Sequence, residues 1–112
     1  MSHPEQQEFI KVSLEKILKF NNKSCLNVLE VGSYKLNNSI NLIGNILKNH
    51  KYLGTDVVEG PGVDLVMNGE DIDNLNQKFD IIISGECFEH ANNWKKIFNS
   101  MIRNITDDGF II

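Results

Sequence analysis

Apolar positions change their period several times along this 112-residue chain. Between Glu5 and Phe20, the residues Ile10, Leu14, Ile17 and Leu18 recur at helical spacing, while Lys11, Glu15, Lys16 and Lys19 fall elsewhere. That one-sided pattern predicts a surface helix. Pro4 suits its first turn and Asn21-Asn22 its end. Leu26 to Gly32 is a short run rich in β-branched residues that ends in glycine, which predicts a buried strand, β1. Asn38 or Ser39 can cap a second helix reaching about Asn49, with Ile40, Leu42, Ile43, Ile46 and Leu47 apolar. Tyr52–Asp56 reads as β2, Gly60-Pro61-Gly62 as a turn, Val63–Met67 as β3 and Asp71–Leu75 as a short helical turn. Phe79–Ser84 is the clearest strand, β4. A third helix is predicted over Asn92–Ile105, with Trp94, Ile97, Phe98, Met101 and Ile105 on one face and Trp94 therefore in the core. Asp107-Asp108-Gly109 is expected to turn the chain into Phe110-Ile111-Ile112, the start of β5.

Strands without polar alternation, separated by helices, imply a parallel sheet covered on both faces. The expected fold is α/β, doubly wound and Rossmann-like. The length fits one domain, with residues 1–22 as an N-terminal helix and 26–112 as the α/β core. The apolar share of 41% is enough for an ordinary globular core. Eleven basic against fifteen acidic residues leave a net charge of −4, which argues against nucleic acid or an anionic membrane as a partner. No apolar run approaches the roughly 20 residues of a membrane span, and Met1–Glu5 does not open a signal peptide. A cytoplasmic protein is the expectation. Cys25 and Cys87 suit a reducing compartment. They flank opposite ends of parallel strands, about 15–20 Å apart, too far for a disulfide.

In open parallel sheets, ligands bind beyond the carboxyl ends of the strands. The residues there are Glu30-Val31-Gly32-Ser33, Asp56, Asn68-Gly69 and Ser84-Gly85-Glu86. Asp56 ends β2, where a carboxylate can accept both hydroxyls of a ribose; the alternative is a solvated acid capping the next turn. Val57 and Val58 follow it and could cover an adenine face. Gly32 either lets a ligand approach the backbone or simply turns the chain. No second or third glycine follows in Ser33-Tyr34-Lys35-Leu36-Asn37-Asn38, so the dinucleotide fingerprint is absent and NAD or FAD is disfavoured. Tyr34 is a candidate ligand contact or an exposed loop aromatic.

Together these segments resemble the class I S-adenosylmethionine-dependent methyltransferases. Val28-Leu29-Glu30-Val31-Gly32-Ser33 resembles that family's first motif, and Tyr52-Leu53-Gly54-Thr55-Asp56 its second strand with the ribose acid. Phe79–Ser84 with Glu86, Glu89 and His90 resembles the fourth strand and its loop, and Asp108–Ile112 the turn into the fifth. The resemblance implies S-adenosylmethionine as cofactor and methyl transfer, with a small-molecule acceptor expected from the net acidity. It places Glu30 and Gly32 at the methionine end, and the adjoining loop residues Ser33 and Tyr34 are counted among the expected cofactor contacts. Asp56 would sit on the ribose, Val57 on the adenine, Asn68 and Gly69 near the adenine amino group, and Ser84, Gly85 and Glu86 beside the methyl.

The family's sheet has seven strands, so this sequence is expected to stop inside the fifth. It would then be a fragment, or a minimal cofactor-binding part. An apolar β5 edge at Phe110-Ile111-Ile112 predicts association, as a homo-oligomer or with a partner. No zinc-like spacing is present, and no metal is expected. His90 is read either as an acid–base participant or as part of the loop's structure, and Cys87 as a small packed side chain. The competing function is a non-catalytic module that binds S-adenosylmethionine or another protein.

Overall fold

The computed structural model describes residues 4–20, 25–34, 45–84 and 93–112. Helix α1 spans Pro4–Phe20, and strands β1 (Asn27–Val31), β2 (Lys51–Asp56) and β3 (Leu65–Val66) follow. A 3₁₀ helix covers Gly69–Leu75, then come β4 (Phe79–Ile83), helix α2 (Trp94–Arg103) and β5 (Ile105–Ile111). Every strand pair is parallel, in the order β3-β2-β1-β4-β5. The chain thus builds outward from β1 in one direction, returns, and builds outward through β4 in the other. The expected doubly wound α/β sheet is what the structure contains.

Period-two alternation sends neighbouring side chains of each strand to opposite faces, and here both faces are covered. Val28, Ile81 and Ile83 pack with Ile10 and Leu14 of α1, and with Leu26 and Leu47. Leu29, Val31, Phe79 and Ile82 pack on the other face with Ile72 of the 3₁₀ helix and with Ile97 and Met101 of α2. Burial on both faces explains why β4 is apolar at every position but Asp80; all five of its residues are buried. The predicted second helix is described only at its end, where residues 45 and 46 are helical and 47–49 turn. His50 Nδ1 accepts the Leu26 N–H at 3.0 Å just before β1. Asp80 Oδ2 accepts the Asn27 N–H at 2.9 Å, pinning the start of β1 to β4.

Three expectations are corrected. Trp94 is not in the core: it is 47% exposed, and Phe98 is also exposed. The buried side of α2 is Ile97, Ser100 and Met101. Trp94, Phe98 and Ile102 form the neighbouring i, i+4, i+8 row, and the helix carries more apolar residues than one stripe can bury. The Lys95 ammonium lies 5.7 Å from the centre of the Trp94 ring. Secondly, Ile105 does not end a helix but begins β5 opposite Phe79. The expected turn at Asp107-Asp108-Gly109 is a bulge within that strand: two steps from Phe79 to Ile81 answer five from Ile105 to Phe110. Thirdly, β3 is two exposed residues rather than five, as suits a short sheet edge.

The 3₁₀ helix is joined to α2 through Asp73, which accepts from Arg103 Nη2 at 2.9 Å and from Asn104 Nδ2 at 2.6 Å. Hydrogen bonds from Arg103 and then Asn104 hold the Asp73 carboxyl below its ordinary value of 3.8. The carboxylate therefore stabilises the folded chain above that value, and the contribution disappears as the pH falls through the lower folded-state value. Asp73→Asn should melt slightly below wild type at pH 7. The gap should narrow on acidification below about pH 4, and also in high salt, because the pair is half exposed. A melting gap that stays constant from neutral to acidic pH would contradict this account.

Candidate functional site

The carboxyl ends of β1 and β2 are locked together by the residues that follow β1. Gly32 adopts φ 82°, a left-handed backbone natural to glycine, and this turns the chain back over β2. Its N–H and that of Ser33 both donate to the Thr55 carbonyl, at 2.8 and 2.9 Å. The next N–H, from Tyr34, donates to Asp56 Oδ2 at 3.0 Å. Thr55 also donates its hydroxyl to the Glu30 carbonyl at 2.9 Å. Asp56 Oδ1 accepts the Val57 N–H at 2.7 Å. The carboxylate is thus held by one N–H from each of two loops. It is only partly buried, and each oxygen keeps a lone pair for a further donor. Val57 and Val58 beside it are 63% and 51% exposed, so an apolar surface adjoins the acid.

The loop after β2 is built with little slack. Gly54 exchanges two bonds with Asp64: its N–H donates to Asp64 Oδ2 at 2.8 Å, and its carbonyl accepts the Asp64 N–H at 2.8 Å. The chain reverses at Pro61-Gly62, where the Val63 N–H donates to the Gly60 carbonyl at 3.1 Å and Gly62 has φ 83°. A Cβ on Gly54 would lie 2.5 Å from the Gly62 carbonyl oxygen and 2.9 Å from Ser33 Oγ. Ser33 is fully buried, and its hydroxyl has no hydrogen-bond partner among the described residues. An orphaned buried hydroxyl is uncommon in a native interior, and this one sits in the loop beyond β1.

Gly32, Ser33, Tyr34, Asp56 and Val57 therefore come together, as one bonded cluster. Glu30 lies beneath it, fully buried, with its carboxylate receiving the Tyr52 hydroxyl. Asn68 caps the 3₁₀ helix, its Oδ1 accepting the Glu70 N–H at 3.1 Å. Gly69 is a packing position: a Cβ there would lie 3.0 Å from both Val31 and Ile97. Ser84 joins strand ends, since its N–H and hydroxyl each donate to the Ile112 carbonyl at 3.0 Å. Gly85, Glu86, Cys87, Glu89 and His90 lie outside the described residues. Cys25 is exposed, and its thiol is free. Among the described residues, no group of three or more His, Cys, Asp or Glu side chains could hold a metal ion, and no helix is long and apolar enough to cross a membrane.

A left-turning glycine after β1, an acid ending β2 and the order β3-β2-β1-β4-β5 together define a Rossmann-like sheet. A profile of the methyltransferase domain matches residues 3–112, and the chain belongs to that family. Among solved structures it is similar to the methyltransferase MycE of the mycinamycin biosynthetic pathway, crystallised with Mg and SAH. The TM-score is 0.62 at 17% identity over 94% of this chain, so the likeness is one of fold. This chain spans 32% of the length of that one. No curated protein matches it.

Sequence reasoning overlooked Thr55, Gly54, Gly60 and Asp64. The glycine inside β2 was a usable signal, because a strand-interior glycine marks close backbone approach. Thr55 gave none, since its role depends on where the loop after β1 returns. Gly54→Ala should cost about 1–3 kcal/mol in urea unfolding, because the Gly62 carbonyl in its way is backbone and cannot swing aside. An alanine chain as stable as wild type would contradict that packing.

Proposed function

We propose that this chain binds S-adenosylmethionine at the carboxyl ends of β1, β2 and β4 and serves methyl transfer to a small-molecule acceptor. The observation that carries the reading is Asp56: a carboxylate at the end of β2, held by one N–H from each flanking loop, with acceptor capacity left on each oxygen for a further donor. The residues present fit an adenosyl group. Asp56 would take the ribose hydroxyls, the exposed Val57 would cover the adenine, and the buried, unpartnered Ser33 hydroxyl lies in the loop next to them. Gly32 would contribute space and its carbonyl, since its N–H is engaged by Thr55. Asn68 would reach the adenine amino group only with the lone pair its capping bond leaves over. Ser84, with Gly85 and Glu86, would border the methyl, and Glu30 would support the methionine end from below.

When bound, the sulfonium supplies an already activated methyl group. What remains for the protein is alignment of the acceptor and exclusion of water. An oxygen or nitrogen acceptor also needs a base, and His90 is our candidate for it. The net charge of −4 opposes a nucleic-acid acceptor. The exposed Cys25 thiol suits a reducing, cytoplasmic setting. Titration with S-adenosylhomocysteine should show saturable binding near one per chain, weakened about 100-fold or more in Asp56→Ala if both ribose bonds are lost. A folded wild-type chain that does not bind would contradict the proposal.

The second reading, an interaction module, is favoured by the apolar surface at the β5 edge. Phe9 of α1 and Phe110 of β5 are 66% and 48% exposed and line one groove with Ile17 and Ile112. We propose self-association along this edge, because among the described residues no strand lies on the outer side of β5, and a free strand edge is a ready pairing template. Light scattering should show a concentration-dependent rise in mass that Phe110→Lys abolishes. A constant monomer mass at high concentration would contradict it.

A further inference from the structure

Tyr34 touches the end of β2 and the loop that follows it, once each. Its N–H donates to Asp56 Oδ2 at 3.0 Å, and its ring edge lies against Gly60. A Cβ built on Gly60 would stand 2.1 Å from Tyr34 Cε2 and 2.7 Å from Cδ2. The backbone at Gly60 does not forbid a side chain, since the only left-handed glycines among the described residues are Gly32 and Gly62. The ring alone excludes one. Gly60 therefore differs from Gly54, whose nearest obstacle is the Gly62 backbone carbonyl.

The Asp56 carboxylate is oriented by two N–H groups on separate loops, from Tyr34 on Oδ2 and from Val57 on Oδ1. Its rotation therefore follows the relative position of those loops. The ring seated on Gly60 is a side-chain contact between them, four residues beyond the acid. We infer that Tyr34 is a positioning residue: its ring clamps the loop carrying Val57 to Gly60 and so aims Asp56 at both hydroxyls of a ribose. The inference rests on the ribose role proposed for Asp56. The hydroxyl of Tyr34 takes no part in the clamp; the ring does.

The test is calorimetric titration of the full chain with S-adenosylhomocysteine and with its 2′-deoxyribose analogue. A merely structural contact would weaken both ligands equally, whereas a misaimed Asp56 loses the preference for the ribose. Gly60→Ala should weaken S-adenosylhomocysteine about tenfold, since small misplacements of a positioning group cost one to two orders of magnitude. It should also bring the ribose preference several-fold nearer to unity. Tyr34→Ala should do the same, and Tyr34→Phe, which keeps the ring, should restore wild-type values. The Tyr34→Ala/Gly60→Ala chain should be no weaker than Tyr34→Ala alone, because the new methyl then meets no ring. An unchanged ribose preference in a folded Gly60→Ala chain overturns the clamp, and so does Tyr34→Phe behaving like Tyr34→Ala. If Asp56→Ala abolishes the preference while Gly60→Ala keeps it, the clamp alone fails. If Asp56→Ala keeps the preference, the ribose reading itself fails.

Discussion

The N–H groups of Gly32 and Ser33 converge on the carbonyl of Thr55, and the shape of the ligand edge depends on that convergence. Parallel strands have no short connection to bind their ends together, so β1 and β2 need a device where their ladder stops. Here the device is the chain leaving β1, turned back by the left-handed Gly32. Once two N–H groups are on Thr55, the third, from Tyr34, arrives at Asp56. The same arrangement explains the missing glycines of a dinucleotide loop. N–H groups that would face phosphates in such a loop face β2 here, and an adenosyl cofactor without phosphates does not need them.

Rigidity beneath this edge comes from the two central strands. β1 and β4 are buried on both faces, by α1 on one side and by α2 with the 3₁₀ helix on the other. Close packing of this kind leaves little spare room, and a Cβ on Gly69 would lie 3.0 Å from both Val31 and Ile97. The outer parts are less covered. Trp94, Phe98 and Ile102 on α2, and Phe9 and Phe110 at the β5 edge, stay substantially exposed. The chain therefore combines a well-packed platform beneath the carboxyl ends of β1 and β2 with apolar surface near β5, which is why an enzyme part and an interaction module are both readable from it.

The sheet was legible because burial on both faces leaves strands such as Phe79–Ile83 apolar at every position but Asp80, whose carboxylate is bonded to the start of β1. Asp56 was legible from its place after a strand. Trp94 was misread because helical periodicity reports a face but not which of two adjacent apolar rows is covered. Asp107-Asp108-Gly109 was misread because turn chemistry serves a bulge as well as a turn. Asn68 and Gly69 matched a family position, yet their bonds and contacts here are a helix cap and a packing gap. Thr55 and Gly60 could not be found from local sequence, because both act through residues more than twenty positions away.

Amide chemical shifts of the chain during titration with S-adenosylhomocysteine test the central claim most directly. The account predicts one saturating event that moves the amides of Tyr34 and Val57, whose N–H groups are bonded to Asp56. Saturable shifts confined to the α1–β5 groove, with Tyr34 and Val57 unmoved, would contradict it.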